Sequence, residues 1–333
     1  MKKISKVVVI VVLVILIFSL FYYQFGIDHP ANGKAITVSG PPHQNSTGNS
    51  TINHNKSNNT TVPEPQSIKV VGTSSNPYNY TSLKYGAIGT DLWNLKQANG
   101  STNMTYNGKY LYVNSSLCSV KSDYDTILGY PEVAYGYNLE DQMFGSNQDG
   151  NLVFPMKFSK FKDLDFLATA NFSFLRLYPG NIPIDFSYDL WLEQNPSVGH
   201  EPTSNDLEVM IWMYYQDNQP IGNKVGTFNT YTTINGHLTN STWEIWYGSA
   251  NAWPTVSFIL QNPSPVSYSN ITLNISKFIL EGGNISGENV SNHTLMGIEM
   301  GNEFGNESIA RNISDWILYY YSFQVGENTI KVI

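Results

Sequence analysis

From about Tyr78 to Ile333 the chain repeats short runs in which apolar and polar residues alternate. Examples are YLYVNSS (110–116), LVFPMKFS (152–159), NFSFLRLY (171–178), IDFSYDLWLE (184–193) and LEVMIWMYY (207–215). STWEIWYG (241–248), TVSFILQ (255–261), ITLNISKFIL (271–280) and WILYYYSFQV (316–325) continue the series. Alternation at period two marks strands with one buried face. Asn, Gly, Pro and Ser clusters separate the runs. Many short strands with such punctuation predict an all-β domain, an antiparallel sandwich or a barrel. SKFILEGG (276–283) reads as a helical turn or two. No Gly-rich phosphate loop opens a helix, and no fixed-period repeat occurs.

Period two also sorts candidate chemistry. In LEVMIWM, Leu207, Val209, Ile211 and Met213 share one apolar face. Glu208, Met210, Trp212 and Tyr214 share the other, a carboxylate among aromatic and thioether groups. That composition fits the floor of a cleft; a solvated strand face stays open as the other reading. In IDFSYDLWLE, Asp189 and Trp191 face away from Tyr188, Leu190 and Leu192. In HTLMGIEMGNEFG, Glu299, Gly301 and Glu303 fall on one side, with Gly301 leaving space between the acids. Two carboxyls facing one cleft are the minimum set for glycosidic bond hydrolysis.

The N-terminus changes the domain picture. Lys2, Lys3 and Lys6 precede an apolar run from Val7 to Tyr23. A positive flank followed by such a run predicts a signal peptide or signal anchor over 1–27. The rest of the chain then lies outside the cell, secreted or held on the outer face of the membrane. Residues 28–77, rich in Asn, Ser, Thr and Pro, predict a flexible tether. Sequons at Asn45, Asn49, Asn55, Asn58, Asn59, Asn79, Asn99, Asn171, Asn240, Asn274 and Asn312 mark candidate glycan sites. The folded domain is expected over 78–333.

Charge narrows the function classes. Charged residues are 13% of the chain, against roughly 25% in ordinary domains, and the net charge is −8. No basic stripe suits nucleic acid. With Cys118 as the single cysteine, no intrachain disulfide or zinc-ligand spacing exists. Few ionised carboxylates leave acid little to undo, so tolerance of acidic surroundings is expected. His200, His237 and His293 read as surface loop residues. Trp243, Trp246, Trp253 and Trp316 read as core or rim, and Glu140 and Asp141 as solvated loop acids.

Several motifs, in order, resemble glycoside hydrolase family 12, the β-jelly-roll endoglucanases, from about Thr90 to Val325. DLWN (91–94) is similar to the family's Asn-x-x-Trp region before a long strand. GYPEVAYG (129–136) resembles a segment of its hyperthermophilic members. YDLWL (188–192) resembles the strand of the assisting aspartate. LEVMIW (207–212) resembles the nucleophile motif, and GNEFG (301–305) the acid/base motif. The resemblance implies a two-sheet antiparallel jelly roll with an open substrate cleft on its concave face. It implies Glu208 as nucleophile, Glu303 as general acid/base with Glu299 as rival, and Asp189 as the assisting acid. It implies Asp91, Trp93, Met210 and Trp212 as substrate-binding residues. Asn302 replaces the usual Thr, a mild change, and Asp91 stands where an Asn often bonds sugar.

The implied activity is a retaining endo-β-1,4-glucanase needing no metal or organic cofactor. Its partner would be a β-glucan such as cellulose, the chain a monomer, and membrane contact confined to the N-terminal segment. Hydrolysis of xylan, xyloglucan or mixed-linkage glucan stays open, as does a non-catalytic glycan-binding surface protein.

Overall fold

The computed structural model describes residues 67–124, 126–137, 143–144, 152–196, 202–250 and 252–333. The leader, most of the tether, Glu140, Asp141 and His200 lie outside the described residues. Strands dominate, as the alternation predicts. One layer runs β1 (Ile68–Gly72), β4 (Leu95–Tyr106), β5 (Leu111–Ser122), β18 (Arg311–Val325), β9 (Phe166–Tyr178), β15 (Tyr268–Asn274), with β19 (Asn328–Lys331) on β18. The other runs β14 (Trp253–Asn262), β11 (Leu207–Gln216), β10 (Ile184–Glu193), β17 (Gly297–Gly301), β6 (Glu132–Tyr137), β3 (Ala87–Gly89), β2 (Tyr80–Ser82). Short strands β16 (Thr294–Leu295), β8 (Met156–Lys157) and β7 (Met143–Phe144) extend β10 and β6.

The two layers are one ladder folded over. The long hairpin of β12 (Asn223–Ile234) and β13 (His237–Ala250) joins them. β12 pairs with β15 at Thr233 and Ile234, while β13 pairs with β14. All pairings among the described residues are antiparallel except β11–β14, which is parallel. The expected all-antiparallel pattern is corrected there.

Alternation on β10 explains the core. Phe186 stacks on Phe172 of β9 at 4.1 Å between ring centroids and meets Trp316 of β18 edge-on at 5.1 Å. Tyr188 meets Tyr321 at 6.0 Å, and Tyr135 of β6 meets Phe323 at 5.6 Å. Such aromatic pairs add to area burial. The helix α1 (Ile275–Ser286) seals the same core beneath β11. It buries Ile275, Phe278 and Ile279, with Phe278 edge-on to Trp243 at 4.9 Å and to Phe258 at 5.2 Å. A Cβ on Gly282 would stand 3.0 Å from the Val209 side chain, so glycine lets the helix approach β11. Asn274 caps its start and Gly287, at φ 81°, its end. Three turns form where one or two are expected, because apolar burial outweighs the cost of two glycines.

Other differences are local. Ile68–Gly72, inside the expected tether, is the sheet's edge strand, with Val70 buried. The sheet thus begins ahead of the expected boundary at 78. LVFPMKFS is mostly not strand; Leu152, Phe154 and Phe158 plug the core from a loop and a 3₁₀ turn. Phe278→Ala is expected to cost about 3–5 kcal/mol, measured as a fall in urea midpoint. The exposed Tyr231→Ala should stay within about 0.5 kcal/mol.

Candidate active site

The residues of β10 that do not enter the core share its other face, where Asp189 and Trp191 line one cleft and Asp185 and Ser187 are buried beside it. Asp185, Ser187, Asp189 and Trp191 alternate with Phe186, Tyr188, Leu190 and Leu192. Neighbouring strands continue each rung. Thr255, Glu208 and Trp191 form one rung, and Ser257, Met210, Asp189 and Glu299 the next. Ile259, Trp212, Ser187, Gly301 and Glu132 form the third. Residues on one rung point to the same side. The result is a cavity of about 560 Å³, within the range of ligand sites.

Asp91, Trp93, Asp189, Glu208, Met210, Trp212 and Glu303 all line this cavity, and so does Glu299. Asp91 and Trp93 come from the turn before β4. Asp91 sits at φ 27°, a conformation short polar residues tolerate, and its carbonyl accepts from the Tyr130 N–H at 2.7 Å. Trp93 leans on Tyr124 at 5.7 Å. Asn94 holds that loop, accepting from the Asp123 and Tyr124 N–H groups at 3.0 Å each. The expected face of β11 needs one correction. A bulge opposite Phe186 and Ser187 shifts the alternation, so Tyr214 turns to the core against Phe174 and Tyr215 joins the Met210–Trp212 side. The space expected beside Gly301 is filled by Tyr130, whose ring carbon would lie 3.0 Å from a Cβ there.

Glu208 is buried and held on one oxygen. Its Oε2 accepts from Trp253 Nε1 at 2.8 Å and from Thr255 Oγ1 at 2.7 Å, and neither donor touches Oε1. Burial raises its pKa, and these two donors oppose the rise. Glu303 follows the end of β17. Burial pushes its pKa well above the ordinary range, helped by the charge of Asp185 and a hydrogen bond to it, then by Glu208 and Asp189. Asp189 is raised by burial and then by Glu208 and Glu132. Burial lifts Asp185 to about 6 against hydrogen bonds from its neighbours. Glu299 acts instead on the Tyr80 and Tyr130 hydroxyls, together with Glu132. Tyr80 donates to Glu132 Oε1 at 3.0 Å. No Lys, Arg or His is among the described residues lining the cavity.

A model of glycosyl hydrolase family 12 matches residues 84–325. The chain belongs to that family. It is therefore a glycoside hydrolase acting on polysaccharide. Solved structures of family 12 share its fold. A xyloglucanase from Bacillus licheniformis is 18% identical with a TM-score of 0.56, covering 78% of this chain and 100% of its own. Endoglucanase 3 from Trichoderma harzianum is 19% identical at a TM-score of 0.54, covering 78% and 97%. An endoglucanase from Rhodothermus marinus is 16% identical at 0.52, covering 79% and 99%.

This family 12 site contains residues that sequence reasoning missed or misplaced. Trp253, read as core or rim, lines the cleft and binds Glu208. Trp246 packs beside Met210 and Trp212, while Trp243 and Trp316 are core. Asn302, read as a mild change, is fully buried. Its Nδ2 donates to the carbonyls of Asp185 at 2.5 Å and Glu303 at 2.9 Å, and its Oδ1 accepts from Ser314 Oγ at 2.7 Å. Asp185 was overlooked, although its position four residues before Asp189 puts it on the same strand face. His293, read as a surface residue, is buried, with Nε2 2.8 Å from the Asn205 carbonyl and Nδ1 3.2 Å from that of Asn289. His237 is exposed, as expected.

The cleft carboxyls ionise less readily in the fold than in the unfolded chain. The folded state therefore holds more protons in that range. Stability from this source is fully present below 3.8 for Asp185 and is lost as pH rises through about 6. Asp189 and Glu303 extend the loss upward. The calorimetric melting midpoint is expected to fall between about pH 4 and pH 7. A midpoint that rises across that window contradicts the buried-acid account.

Proposed function

We propose that the protein is an endo-β-1,4-glucanase that cleaves internal bonds of β-glucans with retention of anomeric configuration. The observation that carries this reading is that Glu208 and Glu303 line one aromatic-lined cleft, where the charge of Glu208 adds to the rise of the Glu303 pKa. Glu208 is the nucleophile. Two donors on Oε2 favour its ionised form and leave Oε1 to attack the anomeric carbon. Glu303, kept protonated by burial and acidic neighbours, gives its proton to the leaving oxygen as the glycosidic bond breaks. A water then gives a proton to the Glu303 carboxylate and attacks the glycosyl-enzyme ester, releasing Glu208.

Asp189, one rung from Glu208, helps keep the shared proton count of the cluster. Trp93 with Tyr124 at one part of the cleft offers flat surfaces to sugar rings, and Met210 and Trp212 line it beside the nucleophile. Asp91 supplies a hydrogen-bonding group near Trp93. Residues 1–27 direct secretion of the chain or anchor it to the outer face of the cell membrane, and residues 28–77 link them to a monomeric hydrolase.

Glu208→Gln should lower kcat by about 10⁴-fold or more on a soluble cellulose derivative. Glu303→Gln should lower it by about 10²–10⁴-fold, with smaller loss on an aryl glycoside whose leaving group needs no proton. NMR of the first products should show the β-anomer. Wild-type turnover in Glu208→Gln, or an initial α-anomer, rejects the mechanism. A reducing-sugar panel of cellulose derivative, mixed-linkage glucan, xyloglucan and xylan identifies the preferred polymer.

A further inference from the structure

Asp185 is completely buried, yet it neither faces the nucleophile's donors nor belongs to the family motifs in this sequence. Its side chain is surrounded by donors. Ser187 Oγ donates to Oδ1 at 2.7 Å and Asn218 Nδ2 to Oδ2 at 3.1 Å. The Glu303 main-chain N–H also reaches the Asp185 carboxyl, and the two side chains hydrogen-bond to each other. The main chains are tied as well. Asp185 N–H donates to the Glu303 carbonyl at 3.2 Å, and Asn302 bridges the carbonyls of both residues.

A hydrogen bond between two carboxyl groups needs one proton, and the surroundings decide who holds it. Three donors aimed at Asp185 stabilise its anion. The hydrogen bond with Asp185 raises the Glu303 pKa and lowers that of Asp185, which fits Glu303 as the donor. The acids nearby, Glu208 and Asp189, disfavour a Glu303 anion, and Tyr130 donates away from the pair, to the Ser187 carbonyl at 2.9 Å. Glu132 and Glu299 lie further round the cleft, and no cation lines it among the described residues.

We propose that Asp185 is a positioning residue that accepts a hydrogen bond from Glu303 and keeps the transferable proton on it. This rests on the reading of Glu303 as the acid/base. In the first step Glu303 gives that proton to the leaving oxygen, and Asp185 remains an anion. In the second step water returns a proton to Glu303, whose basicity the adjacent anion enhances. Asn218 belongs to the loop after β11 that lines the cleft, so the proton's placement is also linked to that loop.

The test is ¹³C NMR titration of the Glu303 carboxyl in wild type and in Asp185→Asn, with the pH dependence of kcat/KM measured on both. Asparagine offers an N–H where the anion accepted. The Glu303 midpoint is expected to fall by about one pH unit or more, with the pH–rate profile displaced. A midpoint that moves less than about 0.3 unit, or a loss of rate by the same factor at every pH, overturns the proposal. Asn218→Ala, in a partly exposed loop, is the second variant should Asp185→Asn fail to fold. It removes one donor from Asp185, so the Asp185 midpoint should rise above about 6 and the rate profile should shift; an unmoved pair of readouts overturns the proposal. Wild type that releases no new reducing ends refutes the hydrolase roles instead, while the titrations still report on the pair.

Discussion

The aromatic lock between the two layers sets everything chemical in this molecule. Phe186 and Tyr188 are held by Phe172, Trp316 and Tyr321 across the core. With those two residues turned inward, strand pleating puts Asp185, Ser187, Asp189 and Trp191 on the opposite face, the one that carries the cleft. A one-residue slip would exchange the faces and place two acids in hydrocarbon. The cost of burying an unpaired charge makes that slip prohibitive. Core and cleft are thus two sides of a single constraint.

The cleft has no cationic side chain among the described residues that line it. Its carboxyls are stabilised by protonation and by neutral donors such as Trp253, Thr255, Ser187 and Asn218. Uneven distribution of those donors separates otherwise similar acids. Donors oppose the rise that burial gives Glu208 and Asp185, whereas acidic neighbours add to the rise of Glu303. A pair of acids with opposed environments is what acid/base chemistry on a glycosidic bond requires.

Much of this was legible in the alternation. The faces of IDFSYDLWLE and LEVMIW are as read, because a buried apolar face imposes strict period two. Tyr214 was misassigned because a bulge leaves no trace in residue types. β4, LKQANGSTNMTY, and β12, NKVGTFNTYTTI, were missed because largely solvated strands need no continuous apolar face. Trp253 was unreadable as a cleft residue since its partner, Glu208, lies 45 positions away and only the β11–β14 register joins them. His293 illustrates the same limit: a polar neighbourhood in sequence became an interior one through carbonyls of distant turns.

The parallel register of β11 and β14 also bears on how the molecule is assembled. Glu208 meets Thr255 only after the entire β12–β13 hairpin has been looped out between them. Closing such a loop costs chain entropy before any contact repays it, which makes long-range pairing a slow feature of folding. Nascent or partly folded chains therefore carry every cleft carboxyl yet lack the Thr255 donor that orients Glu208. Competence arrives with completion of the fold.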